Sequence, residues 1–252
     1  MADVASPLAT RAQVAPAARA LLRALGLAAA TTRILVEDHV ERGTTAPAFA
    51  DRAQRTARAI LGVHNVDVRV EGPRPTRPSV LVANHLGYLD PLVVASAIPC
   101  IAIAKGETRN WLLIGAGLEG LGVLFVKRGD AHSGAVILRR VCRALGQGAM
   151  VLNFPEGTTG DGTAIGAFRR GVFGLQRLAG ADIVPVRLAY DDDRVPWYGG
   201  ATFMPHYWTL AKVPKVVARV RFGEPLAANP SDTASDLARR ARDAVSALGT
   251  AR

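Results

Sequence analysis

The sequence predicts an α/β domain with a largely buried mixed sheet, flanked by helices and preceded by N-terminal amphipathic helices. Three observations carry that expectation. From Val66 onward, short apolar runs alternate with stretches of helical period, the pattern of strands joined through crossover helices. The runs are four to seven residues of mostly unbroken apolar character, as strands buried on both faces require. The chain has 252 residues, 49% hydrophobic and 21% charged, which is enough for one large core and leaves no tract that reads as disordered.

Taken in order, a first helix is expected over 16–36, where Leu21, Leu22, Leu25 and Ile34 are interspersed with Arg19, Arg23 and Arg33. A second follows over 51–61, carrying Arg52, Arg55 and Arg58. Residues 1–60 thus read as a helical segment and 61–252 as the main domain. Basic, partly apolar helices suit two environments. They can lie in the headgroup plane of an anionic bilayer, or pack on the domain with a solvated arginine face. Strand-like runs at 80–83, 101–104, 123–126 and 149–153 are each followed by a helical stretch, at 92–98, 109–118, 133–145 and 168–178. Strands at 183–188 and 216–222 and a helix at 232–248 close the chain. The segment 191–210, rich in Gly, Pro, Trp and Tyr, reads as a long connection, and long loops in compact domains are often functional.

Thirty-one basic against 21 acidic residues give a net charge of +10, so a negatively charged partner is expected. An anionic membrane surface or a phosphorylated substrate fits. Nucleic acid does not, because aromatics are only 6% and no zinc-finger, RRM-type or KH-type pattern accompanies the charge. Cys100 and Cys142 both stand in apolar runs, as small buried hydrophobes do, and two cysteines make no disulfide framework. No run approaches the roughly 20 apolar residues of a spanning helix, yet the mean hydropathy is +0.17, which suits a peripheral membrane protein. His39, His64, His132 and His206 have no partner at metal-ligand spacing, so no metal is expected. P-loop, dinucleotide and serine-elbow motifs are absent.

Two segments carry chemistry. Asn84-His85-Leu86-Gly87-Tyr88-Leu89-Asp90 directly follows a buried strand, the place where α/β proteins build their sites. A neutral imidazole can take a proton near neutral pH, and a carboxylate five residues on can hold its other ring nitrogen. Asp90 before Pro91 also reads as an N-cap with proline at the first helical position, a role compatible with the first. Phe154-Pro155-Glu156-Gly157-Thr158-Thr159-Gly160 follows another strand, and its glycines and threonines would expose backbone N–H groups to an anion or oxyanion.

Together these segments resemble the blocks of the glycerolipid acyltransferase family, whose lysophosphatidic acid acyltransferases carry an Asn-His-x4-Asp block and a later Phe-Pro-Glu-Gly-Thr block. Gly122-Val123-Leu124-Phe125-Val126-Lys127-Arg128 is similar to the family's substrate-phosphate block, and Val184-Pro185-Val186 to its short fourth block, in the same order. The resemblance covers about residues 61–226. It implies that His85 removes the proton from the acceptor hydroxyl, that Asp90 orients His85, and that Lys127 and Arg128 hold the acceptor phosphate. Glu156, Gly157 and Thr158 would bind the acceptor or shape the site. The nucleophile then belongs to the substrate, and no cofactor is needed beyond acyl-CoA or acyl-carrier protein as co-substrate. The implied partners are an acyl thioester, a lysolipid acceptor and an anionic membrane surface, at the cytoplasmic face of the membrane. One departure stands out: Thr159 occupies the position of the family's Glu-Gly-Thr-Arg arginine. Arg169 and Arg170 are then the candidates to supply that charge, or the acceptor is another lysolipid such as lyso-ornithine lipid, a reading that the stretch from Trp197 to Phe203 and His206 also suits.

Overall fold

Strands β1 (Val66–Glu71), β2 (Ser79–Ala83), β3 (Cys100–Lys105), β4 (Leu124–Val126), β5 (Met150–Asn153), β6 (Asp182–Tyr190) and β7 (Val216–Phe222) form one sheet in the order β1-β7-β6-β2-β5-β3-β4. They come from a computed structural model that describes residues 15–40, 44–111, 114–127, 131–175, 180–227 and 231–249. Neighbouring strands are parallel except β6 and β7, so the sheet is mixed, as expected. β2 lies at the centre, parallel to both β5 and β6, and all five of its residues are buried. The loops that leave β2, β5 and β6 therefore emerge side by side at the same sheet edge, where ligand sites of α/β proteins form.

Among the described residues the helices are α1 (Pro16–Val40), α2 (Ala46–Val63), α3 (Asp90–Ala97), α4 (Ile114–Gly120), α5 (Ala131–Gly146), α6 (Phe203–Ala211) and α7 (Ala234–Ala247). Val80, Val82, Val151 and Ile183 pack on α5 and α7 across one sheet face. Leu81, Leu152, Val184 and Val186 pack on α2 and α3 across the other. Alternation along the central strands thus feeds two cores at once, which is why the run of β2 is almost wholly apolar, while β1 at the sheet edge alternates valines with charged residues.

Three expectations need correction. The stretch 191–210 is not all loop: it contains most of α6, whose buried Tyr207, Leu210 and Ala211 recur at helical spacing behind Phe203. Pro205 lies in the first turn of α6, where the missing N–H leaves no bond unmade. The helix expected over 109–118 is a 3₁₀ turn, Gly106–Asn110, followed by α4. Gly115 sits against the Arg109 carbonyl, where a Cβ would lie 1.9 Å from the oxygen. In the stretch 168–178, residues 168–170 are not helical, Gly171–Gly174 is a 3₁₀ turn and Leu175 is helical, while 176–178 lie outside the described residues.

The N-terminal helices pack on the sheet domain, and two of their arginines face inward. Arg23 is buried and donates to the carbonyls of Ala211 and Val213 at the end of α6. Arg52 is wholly buried, donates to the Gly120 carbonyl at 2.7 Å and meets Asp38 of α1 at 3.3 Å. A bilayer-facing role for these two arginines is excluded, because the helix-end carbonyls they satisfy lie inside the protein. Beside charged residues such as Arg33, α1 exposes several aliphatic ones: Leu21, Leu22, Leu25 and Val36 are each more than half exposed.

Candidate active site

The site begins with Asn84, the first residue after β2. Its side-chain amide donates to the Leu188 carbonyl at 3.1 Å and its oxygen accepts from the Leu188 N–H at 2.8 Å. The side chain thereby continues the ladder with β6 while the main chain turns away, so the next residue leaves the sheet at its edge. That residue is His85.

His85 Nδ1 lies 2.8 Å from Asp90 Oδ2. A carboxylate only accepts, so Nδ1 carries the proton and donates it, and Nε2 is left as the bare nitrogen. The ring stacks on Phe154 at 4.1 Å between centroids, which fixes its plane. Asp90 is fully buried and accepts four hydrogen bonds. Beyond His85, these come from the N–H groups of Leu86 at 2.5 Å and Gly87 at 2.9 Å, and from the Tyr190 hydroxyl at 2.7 Å. Burial, and secondarily the Asp90 charge, hold the Tyr190 phenol well above its ordinary range, so it remains a donor. The N-cap of α3 is Leu89 and not Asp90, which is the first residue of the helix; its carboxylate accepts from N–H groups before the helix, not within it.

Glu156 belongs to this framework. One carboxylate oxygen accepts from the His85 N–H at 2.8 Å, and the other from the Gly166 N–H at 2.7 Å. The His85 carbonyl in turn accepts from Gly160 N–H, and the Leu86 carbonyl from Trp197 N–H. The loop that carries His85 is therefore held from both sides. Glu156→Ala is expected to lower kcat about 10-fold or more with little change in acceptor KM, since it frees the His85 main chain without removing a substrate contact. Steady-state kinetics at varied acceptor concentration check this.

Next to His85 opens a cavity of about 890 Å³, large enough for a drug-sized or lipid-sized guest. Its walls are mostly apolar and include Leu92 of α3, Ala102 and Ala104 of β3, Ile137 of α5 and Ile34 of α1. Beside His85 the wall carries Gly157, Thr158, Thr159 and Arg169, and Lys105 and Glu107 are further charged residues of the wall. The N–H groups of Thr158 and Thr159 make no hydrogen bond within the described residues. Gly157 has φ +73°, and a Cβ there would lie 2.9 Å from Arg169 Nε, so glycine is needed both for the turn and for the arginine above it. Trp111, Trp197 and Phe203 form one edge-on aromatic cluster with Tyr88 in the same wall.

The structure thus brings together His85, Asp90, Glu156, Gly157, Thr158 and Arg169. Lys127 is exposed beyond the end of β4, outside the cavity wall, and its N–H donates to Ser133. Arg170 is exposed and also outside the wall. Arg128 lies outside the described residues. Among the described residues no cluster of His, Cys, Asp and Glu could hold a metal ion.

Tyr190 and Arg187 escape sequence reading, and Asn84 and Phe154, present in the two segments, receive no role from it. Arg187 is buried on β6, its charge opposed by burial and supported by the nearby Glu156. A polar residue inside the apolar run of β6 was the signal available for it.

A base–carboxylate pair beside an apolar cavity, with free N–H groups and an arginine in its wall, is the equipment of acyl transfer. Comparison with known proteins agrees. Residues 65–189 match the family model described as Acyltransferase. The chain is 32% identical over 184 residues to the lyso-ornithine lipid O-acyltransferase of Pseudomonas aeruginosa, covering 71% of this chain and 70% of that protein. It is 29% identical over 176 residues to the 1-acyl-sn-glycerol-3-phosphate acyltransferase of Neisseria meningitidis serogroup B, covering 66% of this chain and 68% of that protein. The crystal structure of the 1-acyl-sn-glycerophosphate acyltransferase of Thermotoga maritima has the same fold, with a TM-score of 0.64 over 91% of this chain and 95% of that one at 18% identity. The chain belongs to the glycerolipid acyltransferase family.

Proposed function

We propose that the protein transfers a fatty acyl group from a thioester, acyl-CoA or acyl-carrier protein, to the hydroxyl of a lysolipid, with 1-acylglycerol-3-phosphate as acceptor and phosphatidic acid as product. The observation that carries this reading is the His85–Asp90 pair opening on the apolar cavity. The acceptor O–H gives its proton to His85 Nε2 while its oxygen forms a bond to the thioester carbonyl carbon. The resulting oxyanion is received by the free N–H groups of Thr158 and Thr159. The C–S bond then breaks, and the thiolate takes the proton back from the imidazolium. Asp90 stabilises that imidazolium, and no acyl-enzyme forms.

Arg169, in the cavity wall over Gly157, supplies a cation where the family's usual arginine is missing, and it serves the acceptor phosphate. A second reading, lyso-ornithine lipid as acceptor, draws on Thr159 itself and on the Pseudomonas relative. Competition between the two acceptors separates them. Turnover of 1-acylglycerol-3-phosphate that falls with Arg169→Ala supports the first, and exclusive turnover of lyso-ornithine lipid overturns it.

The apolar cavity takes an acyl chain. Ala102→Phe, which fills part of its wall, is expected to shift donor preference toward shorter chains, read from competing thioesters of graded length. The exposed leucines of α1 suit a peripheral contact with an anionic membrane surface at its cytoplasmic face. No helix among the described residues is long and apolar enough to cross a membrane. Flotation with phosphatidylglycerol vesicles, lost on Leu21→Asp and Leu25→Asp together, tests that contact.

A further inference from the structure

We propose that the outer face of α5 is the docking site for an acidic acyl-carrier protein as donor, an inference that rests on the acyl-transfer reading above. Arg139, Arg140 and Arg143 stand exposed on this face, and no ion pair or hydrogen bond engages them among the described residues. The helix contains no acidic residue that would neutralise them. Residues 139 and 143 are one turn apart, so the charges form a patch rather than a scatter. The same helix turns Ile137 and Leu138 into the wall of the acyl cavity. A carrier seated on its outer face would therefore hold its thioester arm within reach of the cavity.

Two other anionic occupants fit less well. The nucleotide of CoA needs a concave site, and none of the three arginines lines the acyl cavity or the smaller cavity at Pro73–Arg77. A membrane needs apolar side chains to insert, and the large hydrophobics exposed among the described residues lie on α1, at the end of α2, and on α6 and the loop before it, with none on α5. A convex, unpaired, all-positive helix face is what an acidic protein surface complements.

The test compares oleoyl-carrier protein with oleoyl-CoA as donors for the full chain and for the triple variant Arg139→Glu, Arg140→Glu, Arg143→Glu. The expected result is a KM for the carrier donor raised about 10-fold or more, steep salt dependence of the parent's carrier reaction, and a CoA reaction changed less than about 2-fold. The CoA rate also reports that the variant is folded. A triple Arg→Gln variant is expected to fall between the two. An unchanged carrier KM, equal losses with both donors, a parent that uses only CoA, or a variant that instead loses vesicle binding overturns the docking site. A parent that transfers from neither donor overturns the acyl-transfer reading itself, and the docking site with it.

Discussion

His85→Ala is expected to abolish acyl transfer, with kcat lowered about 10²- to 10⁴-fold, while the protein keeps its fold. The size follows from what the imidazole does. With Nδ1 committed to Asp90 at 2.8 Å, Nε2 is the nitrogen available to take the acceptor proton, whereas both ring nitrogens of His64, which also lines the cavity, are engaged by the Ile60 carbonyl and the Tyr207 hydroxyl. The fold survives because the substitution removes a partly exposed ring stacked on Phe154, while the His85 main-chain bonds to Glu156 and Gly160 remain. Labelled transfer measured beside a circular dichroism melt checks both halves. A folded variant that keeps more than about a tenth of the parent rate contradicts the assigned base.

Asp90 should separate into a structural and an electrostatic part. Its Oδ2 accepts from His85, Leu86 and Gly87, and its Oδ1 from Tyr190. In Asp90→Asn the amide oxygen can keep the first three bonds while the amide group donates to a rotated Tyr190 hydroxyl, so the melting temperature should stay near the parent's. What is lost is the negative charge that stabilises the imidazolium, and kcat should fall about 10²-fold or more. Asp90→Ala should lose the same activity and also destabilise the fold by about 3 kcal/mol or more, because buried donors are left unpaired at a cost of ~1–3 kcal/mol each. Denaturant melts of the two variants, set beside their rates, distinguish the parts. A fully active Asp90→Asn would show that the carboxylate charge is not used.

Much of this arrangement is legible in the chain. The five-residue step from His85 to Asp90 reads directly because both residues lie on one turn leaving one strand, so the local chain alone brings them together. The strands other than β1 read well for a related reason, since burial on both sheet faces leaves apolar runs, but β1 is not among the expected strands because Asp67, Arg69 and Glu71 interrupt its valines. What the chain conceals is long-range. Glu156 reaches the His85 N–H across 71 positions and Tyr190 reaches Asp90 across 100, and only the adjacency of β5, β2 and β6 makes those contacts. Glu156, expected to bind the acceptor or shape the site, bonds main-chain groups and lies outside the cavity wall, which favours shaping. Arg23 and Arg52 show the same effect at the surface. On a helical wheel they belong to a basic face, but the helix ends that they cap belong to other parts of the chain. α6 was missed although Phe203, Tyr207, Leu210 and Ala211 are spaced helically, because its Pro and aromatic content resembles a loop.

The claim at the centre of this account is that His85 activates the acceptor hydroxyl for direct attack on the thioester. It is tested most directly by mixing the protein with labelled oleoyl thioester in the absence of acceptor, quenching in acid, and then repeating the experiment with 1-acylglycerol-3-phosphate or lyso-ornithine lipid added. The account predicts no label on the protein in the first case, and label in acylated lipid in the second, formed by the parent and not by His85→Ala. A labelled protein that later delivers its acyl group to the lysolipid would contradict it.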